Sequence, residues 1–308
     1  MTKENLKIYL PKERGFCFGV HRALKMLNDA VEKSLSGESV YVYHPIIHNK
    51  EVLRSFEQKR VVFVDKVEDV PKGAVFLFSA HGVGKKVEEA ASSRGLKVID
   101  ATCPFVKKVH LCAESLEKQG CAVCIIGKKG HDEVMGVQGR FSAKTPVFVV
   151  GKKEEVTLLP PLEKVGYVTQ TTLTFSQAQE IIHALKEKYP SLQQTQSDNI
   201  CQATLLRQKN AAKVADRCDA FFVVGDKTSS NSLKLQETTL QSGTRRSFLV
   251  ENLQDFQKVF LQETRDISSW SGKSIGLMTS ASAPEEILRQ ILDFLSVHFV
   301  TDLQEIAL

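Results

Sequence analysis

Three of the seven cysteines recur at one structural position, and no other feature constrains the fold of these 308 residues as tightly. Cys17 follows the strand-like Lys7-Ile8-Tyr9-Leu10 and opens a helical pattern through Val20, Leu24, Leu27 and Val31. Cys103 follows Lys97-Val98-Ile99-Asp100 and opens one through Val106, Val109, Cys112 and Leu116. Cys201 follows Asp198-Asn199-Ile200 and opens one through Leu205, Ala212 and Val214. The three stand about 86 and 98 residues apart, roughly one domain each, so the spacing predicts a threefold repeat.

After each of these helices come three apolar runs in a fixed order. The first is Val40–Tyr43, then Ala122–Ile126, then Ala220–Val224. The second is Val61–Val64, Val147–Val150 and Phe248–Val250; the third is Val75–Phe78, Val165–Val168 and Ile275–Met278. Strand runs alternating with amphipathic helices indicate parallel sheets covered on both faces. The expected fold is α/β, in three small related lobes: residues 1–97, 98–194, and 195–308 with a C-terminal tail.

Polar residues gather just past these strands. The tips read His44-Pro45-Ile46-Ile47-His48-Asn49, Gly130-His131-Asp132-Glu133 and Thr228-Ser229-Ser230-Asn231-Ser232 after the first strands. After the third strands they read Ser79-Ala80-His81-Gly82, Thr169-Gln170-Thr171-Thr172 and Thr279-Ser280-Ala281-Ser282. Ligands of open α/β sheets bind at the carboxyl ends of strands, so the six tips and three cysteines are expected to share one central cavity. A net charge of +5, spread rather than massed, favours a small anion over nucleic acid. No apolar signal region follows Met1, and no apolar run reaches membrane-spanning length, which reads as a cytosolic chain with no membrane partner.

In a reducing compartment these thiols stay free of disulfides. Thiolates at helix starts bind metal as anions, and three of them suit either a zinc with one open position or an iron-sulfur cluster with one iron lacking a protein thiolate. Spacing leaves the two open. Cys121-x-x-Cys124 lies in or beside a strand with its side chains on opposite faces, and reads as core, as do Cys112 and Cys218. His48, His81 and His131, together with Ser229, Ser230, Asn231 and Ser282, make a set of donors fit for phosphate oxygens, the imidazoles being able to turn cationic near neutral pH. Glu133 is the carboxylate best placed for proton transfer, and Thr171 and Thr172 either relay a proton or cap the helix starting near Ser176.

The ordered motifs resemble those of the 4-hydroxy-3-methylbut-2-enyl diphosphate reductase family across nearly the whole chain. They are Gly15-Phe16-Cys17-Phe18-Gly19-Val20, His48-Asn49, Ser79-Ala80-His81-Gly82, Asp100-Ala101-Thr102-Cys103-Pro104 and Gly130-His131-Asp132-Glu133-Val134. They continue as Gln170-Thr171-Thr172-Leu173, Asn199-Ile200-Cys201-Gln202-Ala203-Thr204, Ser229-Ser230-Asn231-Ser232 and Ala281-Ser282-Ala283-Pro284. The resemblance implies a pseudo-threefold trefoil around a 4Fe-4S cluster on Cys17, Cys103 and Cys201, with one open iron. It implies a substrate diphosphate held by His48, His81, His131, Ser229, Ser230, Asn231 and Ser282, with Thr171 near the substrate hydroxyl and Glu133 supplying protons. The implied activity is reductive removal of an allylic hydroxyl, with electrons from a ferredoxin or flavodoxin type donor. A zinc phosphate-ester hydrolase and a non-catalytic iron-sulfur redox sensor are the competing classes. Two positions depart from the family pattern. Asp132 stands where Pro is common, which is expected to raise the pKa of Glu133 by like-charge repulsion, and Ser280 stands where Gly is common, which is expected to redirect the loop carrying Ser282.

Overall fold

A computed structural model describes residues 4–34, 37–194, 200–263 and 267–306. The chain begins with β1 (Glu4–Pro11), α1 (Phe18–Lys33), β2 (Val40–Tyr43), α2 (Lys50–Glu57), β3 (Val61–Val64), β4 (Val75–Phe78), α3 (Lys85–Ser93) and β5 (Lys97–Asp100). It continues with α4 (Pro104–Lys118), β6 (Ala122–Ile126), α5 (Asp132–Gln138), β7 (Val147–Val150), α6 (Lys153–Val156), β8 (Val165–Thr169), α7 (Phe175–Lys188) and β9 (Gln193–Gln194). The last part is α8 (Gln202–Ala215), β10 (Ala220–Val224), α9 (Ser230–Gln241), β11 (Ser247–Val250), α10 (Leu253–Gln262), β12 (Ser274–Thr279), α11 (Glu285–His298) and β13 (Phe299–Ile306).

These strands make three sheets, ordered β3-β2-β4-β5, β7-β6-β8-β9 and β11-β10-β12-β1-β13, and their ladders are parallel. The central strands β6, β8 and β10 are buried at every residue, which is why each reads as an unbroken apolar run instead of an alternating one. The expected α/β class with three parallel-sheet lobes is the fold observed.

Sheet membership divides the chain differently from the lobe boundaries expected from sequence. The strand before each cysteine closes the sheet of the preceding lobe: β5 pairs with β4, and β1 lies between β12 and β13 in the third sheet. The expected C-terminal tail is itself a strand, β13, paired with β1 from Glu4↔Phe299 to Pro11↔Ile306. In the second lobe the corresponding strand is β9, whereas Asp198 and Asn199, expected to lead into Cys201, lie outside the described residues.

By compactness the chain forms two units, residues 1–17 with 202–308, and residues 18–201. The first holds the five-stranded sheet, with a core in which Phe260 stacks on Trp270 at 4.6 Å between ring centroids and Phe222 and Phe256 pack alongside. The second holds the two four-stranded sheets. Here Gly84, just before α3, and Gly139, just after α5, meet so closely that a Cβ on either would sit 2.6 Å from the other's Cα. The Lys85 amide donates to the Gly139 carbonyl at 2.9 Å across the same seam. Among the described residues no helix is long and apolar enough to cross a membrane.

Candidate functional site

Each of the three recurrent cysteines is the residue immediately before a helix: Cys17 before α1, Cys103 before α4, Cys201 before α8. Each is partly exposed. Each is also pinned by the same bond, from its own amide to the carbonyl of the second residue past a third strand. Cys17 N–H donates to Ala281 at 3.1 Å, Cys103 to Ala80 at 3.0 Å, and Cys201 to Thr171 at 3.1 Å. The loop after one lobe's third strand thus positions the cysteine that opens the next lobe's helix. Of the remaining thiols, Cys121 and Cys124 are buried, and burial pushes those of Cys124 and Cys218 up to about 12. A Cβ placed on Gly19 would lie 2.5 Å from the Cys103 Sγ, so glycine there keeps the space beside that sulfur open.

In the unit of residues 18–201, the tips of the two sheets bring His48, His81 and His131 together, with ring centroids 4.6, 5.4 and 5.8 Å apart. His131 caps α5, its Nδ1 accepting the Glu133 amide at 3.2 Å. A neutral His131 therefore carries its proton on Nε2 and presents it as a donor. Burial, reinforced by the His48 charge, brings His131 down to about 4, and burial with the neighbouring imidazoles holds His81 well below the ordinary histidine range. Burial thus favours the neutral donor form of these two, away from the cationic form that the sequence left open, because desolvation outweighs what Asp132 contributes.

Glu133 is 2 % exposed. Its carboxylate accepts the Thr171 amide at 2.7 Å and the Thr171 hydroxyl at 3.0 Å. Burial raises its pKa to about 7 against the lowering by those two bonds, and Asp132 plays no part in the shift. The expected like-charge effect fails because the Asp132 carboxylate turns the other way, onto His44 at 3.2 Å, with His48 and His81 at 3.7 and 3.9 Å. Burial pushes Asp132 up, but the His44 bond and the three imidazoles outweigh it and hold it at about 2. Thr174, not Thr171 or Thr172, caps α7, accepting the Gln177 amide. Thr171 instead links Glu133 to Cys201, through its hydroxyl and amide on one side and its carbonyl on the other.

The other unit carries the remaining donors. Ser229 caps α9 and lies 3.2 Å from the Ser282 hydroxyl. The Asn231 Oδ1 accepts the Ala281 amide at 2.8 Å, and Ala281 in turn holds Cys17, so one side chain of the polar tip sets the cysteine loop. Buried Arg207 on α8 adds a second brace by donating to the Gly15 carbonyl at 2.9 Å. Ser280 follows an ordinary backbone path. It avoids positive φ, and its amide bonds Val224 at 2.8 Å as the Gln170 amide bonds Ile126 at 2.8 Å.

Sequence reasoning missed three contributors: His44, Arg207, and the inward aim of Asp132. His44 adopts a left-handed φ of 57°, rare for a side chain with a Cβ, and its place at a strand tip beside Pro45 was the available signal.

A family model described as LytB protein matches residues 8–296. A Tolumonas auensis protein named 4-hydroxy-3-methylbut-2-enyl diphosphate reductase is 39 % identical over 291 residues, covering 94 % of this chain and 90 % of that one. A Haemophilus influenzae protein of the same name is 38 % identical over 304 residues, covering 98 % and 93 %. Among solved structures, the E-1-hydroxy-2-methyl-but-2-enyl-4-diphosphate reductase of Plasmodium falciparum superposes with a TM-score of 0.89 at 31 % identity, covering 100 % of this chain and 93 % of that one.

Proposed function

This chain belongs to the LytB protein family, and we propose that it removes the allylic hydroxyl of 4-hydroxy-3-methylbut-2-enyl diphosphate as water, giving isopentenyl and dimethylallyl diphosphates. The observation that carries the reading is the bond repeated in all three lobes, which seats Cys17, Cys103 and Cys201 alike at helix starts. Soft sulfur donors, partly exposed and with Gly19 leaving room beside Cys103, fit a 4Fe-4S cluster bound by three protein thiolates, one from each lobe. When bound, the cluster would relay the donor's electrons one at a time and offer an iron without a protein thiolate as a Lewis acid.

The protein's own groups do the rest. The imidazoles of His48, His81 and His131 and the polar groups of Ser229, Ser230, Asn231 and Ser282 would supply hydrogen-bond donors for the diphosphate oxygens and so orient the chain of the substrate. Two electrons and two protons enter for each hydroxyl lost. One proton goes to the departing oxygen and the other to carbon, and two carbons open to protonation account for two products. Protonated on Oε2, Glu133 donates to the Thr171 hydroxyl, whose own hydrogen is then free to turn to the leaving oxygen. Electrons come from a ferredoxin or flavodoxin type donor.

The test is anaerobic oxidation of a reduced dye dependent on this substrate, with iron and sulfide analysis of wild type and of Cys17→Ser, Cys103→Ser and Cys201→Ser. Each variant is expected to lose bound iron and turnover together. A serine variant with full iron and unchanged turnover would overturn the ligand assignment, and zinc without labile sulfide in the wild type would favour a hydrolase.

A further inference from the structure

His81 sits in a turn, residues 79–82, that is pressed from two sides. A Cβ on Gly136 of α5 would lie 3.0 Å from the Gly82 carbonyl oxygen and 3.5 Å from that of His81. From the opposite quarter, a Cβ on Gly82 would lie 2.8 Å from Cε1 and 3.1 Å from Nε2 of His110, with the Thr102 Cγ2 at 3.0 Å. The imidazole of His110, a residue of α4, therefore lies against the Gly82 backbone. We propose that His110 is a positioning residue for His81: its ring is the wall that sets the turn, and so aims the His81 imidazole at an incoming phosphate oxygen. This rests on the function proposed above in taking His81 as a diphosphate donor.

The turn needs such a wall. Gly82 has a left-handed φ of 77° and no side chain with which to pack, and the bond from its amide to the Ser79 carbonyl is 3.2 Å long. The wall is itself firmly held, since Val109 and Ala113 on either side of His110 are buried in the core of the second lobe. The helix also meets the turn at a second point, because Cys103, which caps α4, donates its amide to the Ala80 carbonyl at 3.0 Å. His110 is 8 % exposed, and its Nε2 is buried without a hydrogen-bond partner. What the ring provides at Gly82 is thus its volume. A cleft of about 230 Å³, lined by Val83, Thr102, Leu111 and Arg140 among others, opens beside the ring. Truncating His110 would join the lost volume to that cleft and leave the turn free to move toward α4.

The experiment measures binding of inorganic diphosphate by calorimetry to the cluster-loaded protein, prepared anaerobically. It compares wild type, His110→Ala, Gly82→Ala and the double variant, with iron and sulfide content of each. His110→Ala should keep its iron and weaken diphosphate binding about 2- to 10-fold, the worth of one neutral hydrogen bond. In the dye assay KM should rise by the same factor while kcat falls less. Gly82→Ala should weaken binding too, by pushing the turn off the ring. The two changes meet at one contact and should not add: removing the ring makes room for the new methyl group, so the double variant should bind more tightly than Gly82→Ala alone. Equal binding by wild type and His110→Ala, or a double variant whose loss is the product of the two single losses, would overturn the proposal. Loss of iron together with binding in His110→Ala would do so as well, since a general loosening of α4 would then be the cause. A wild type that binds no diphosphate removes the donor reading of His81 and this proposal with it, whereas wild-type binding left unchanged by His110→Ala removes this proposal alone.

Discussion

Glu133 and His110 are both sealed from water, and burial moves each toward its neutral form from opposite directions. For Glu133 the result is a proton held close to the working pH beside a threonine that can pass it on. Glu133→Gln keeps the size and the Thr171 contact but not the proton, so turnover should fall about 10²- to 10⁴-fold while substrate binding is retained. Kinetic constants with the reduced dye check this. His110 on α4 is brought down to about 4 by burial, with Arg140 adding to the effect, and its Nε2 has no protein partner. The unfolded chain takes up that proton at its ordinary value of 6.5, before the folded chain can. His110 therefore costs nothing above pH 6.5, and stability drains away as pH falls from 6.5 to 4, by about 3 kcal/mol at most. Urea midpoints of His110→Gln, compared with wild type from pH 7 to 4, should fall less steeply. Parallel profiles would contradict the argument.

At the scale of elements, the seam between α3 and α5 is set by two glycines with no room for a methyl group. Gly139→Ala should force the seam apart and cost about 1–3 kcal/mol, measured as a lower denaturation midpoint. β6 and β10 were legible to the residue, because a strand buried on both faces reads as an unbroken apolar run, whereas β8 runs one residue past its expected end, to the buried Thr169. β13 was not: of its eight residues only Phe299 is buried, so no alternation marks it. The starts of α5 and α9 were read as tips, since each begins at the polar residues that cap it. Placing the site at strand ends was legible from α/β topology. The turn of Asp132 toward His44 was not, because it depends on a left-handed backbone at His44 and on which side of α5 a side chain leaves.

For the whole molecule, the feature that matters is β1, which sits inside the third sheet and not at its edge. The chain's one tryptophan lies in the same core, so its fluorescence reports on that unit. Ile8→Ala, at a fully buried β1 position, should lower the urea midpoint seen by fluorescence by an amount corresponding to about 2–5 kcal/mol. An unchanged midpoint would mean that β1 contributes little to the sheet. The same arrangement bears on how the chain is made. β1 leaves the ribosome well before its partners β12 and β13, which begin about 270 and about 295 residues after it, a delay of about 14–59 s at about 5–20 residues per second. Throughout that interval a greasy segment near the amino terminus has no sheet to join, and nascent chains of this protein are at their most exposed to chaperones and proteases there.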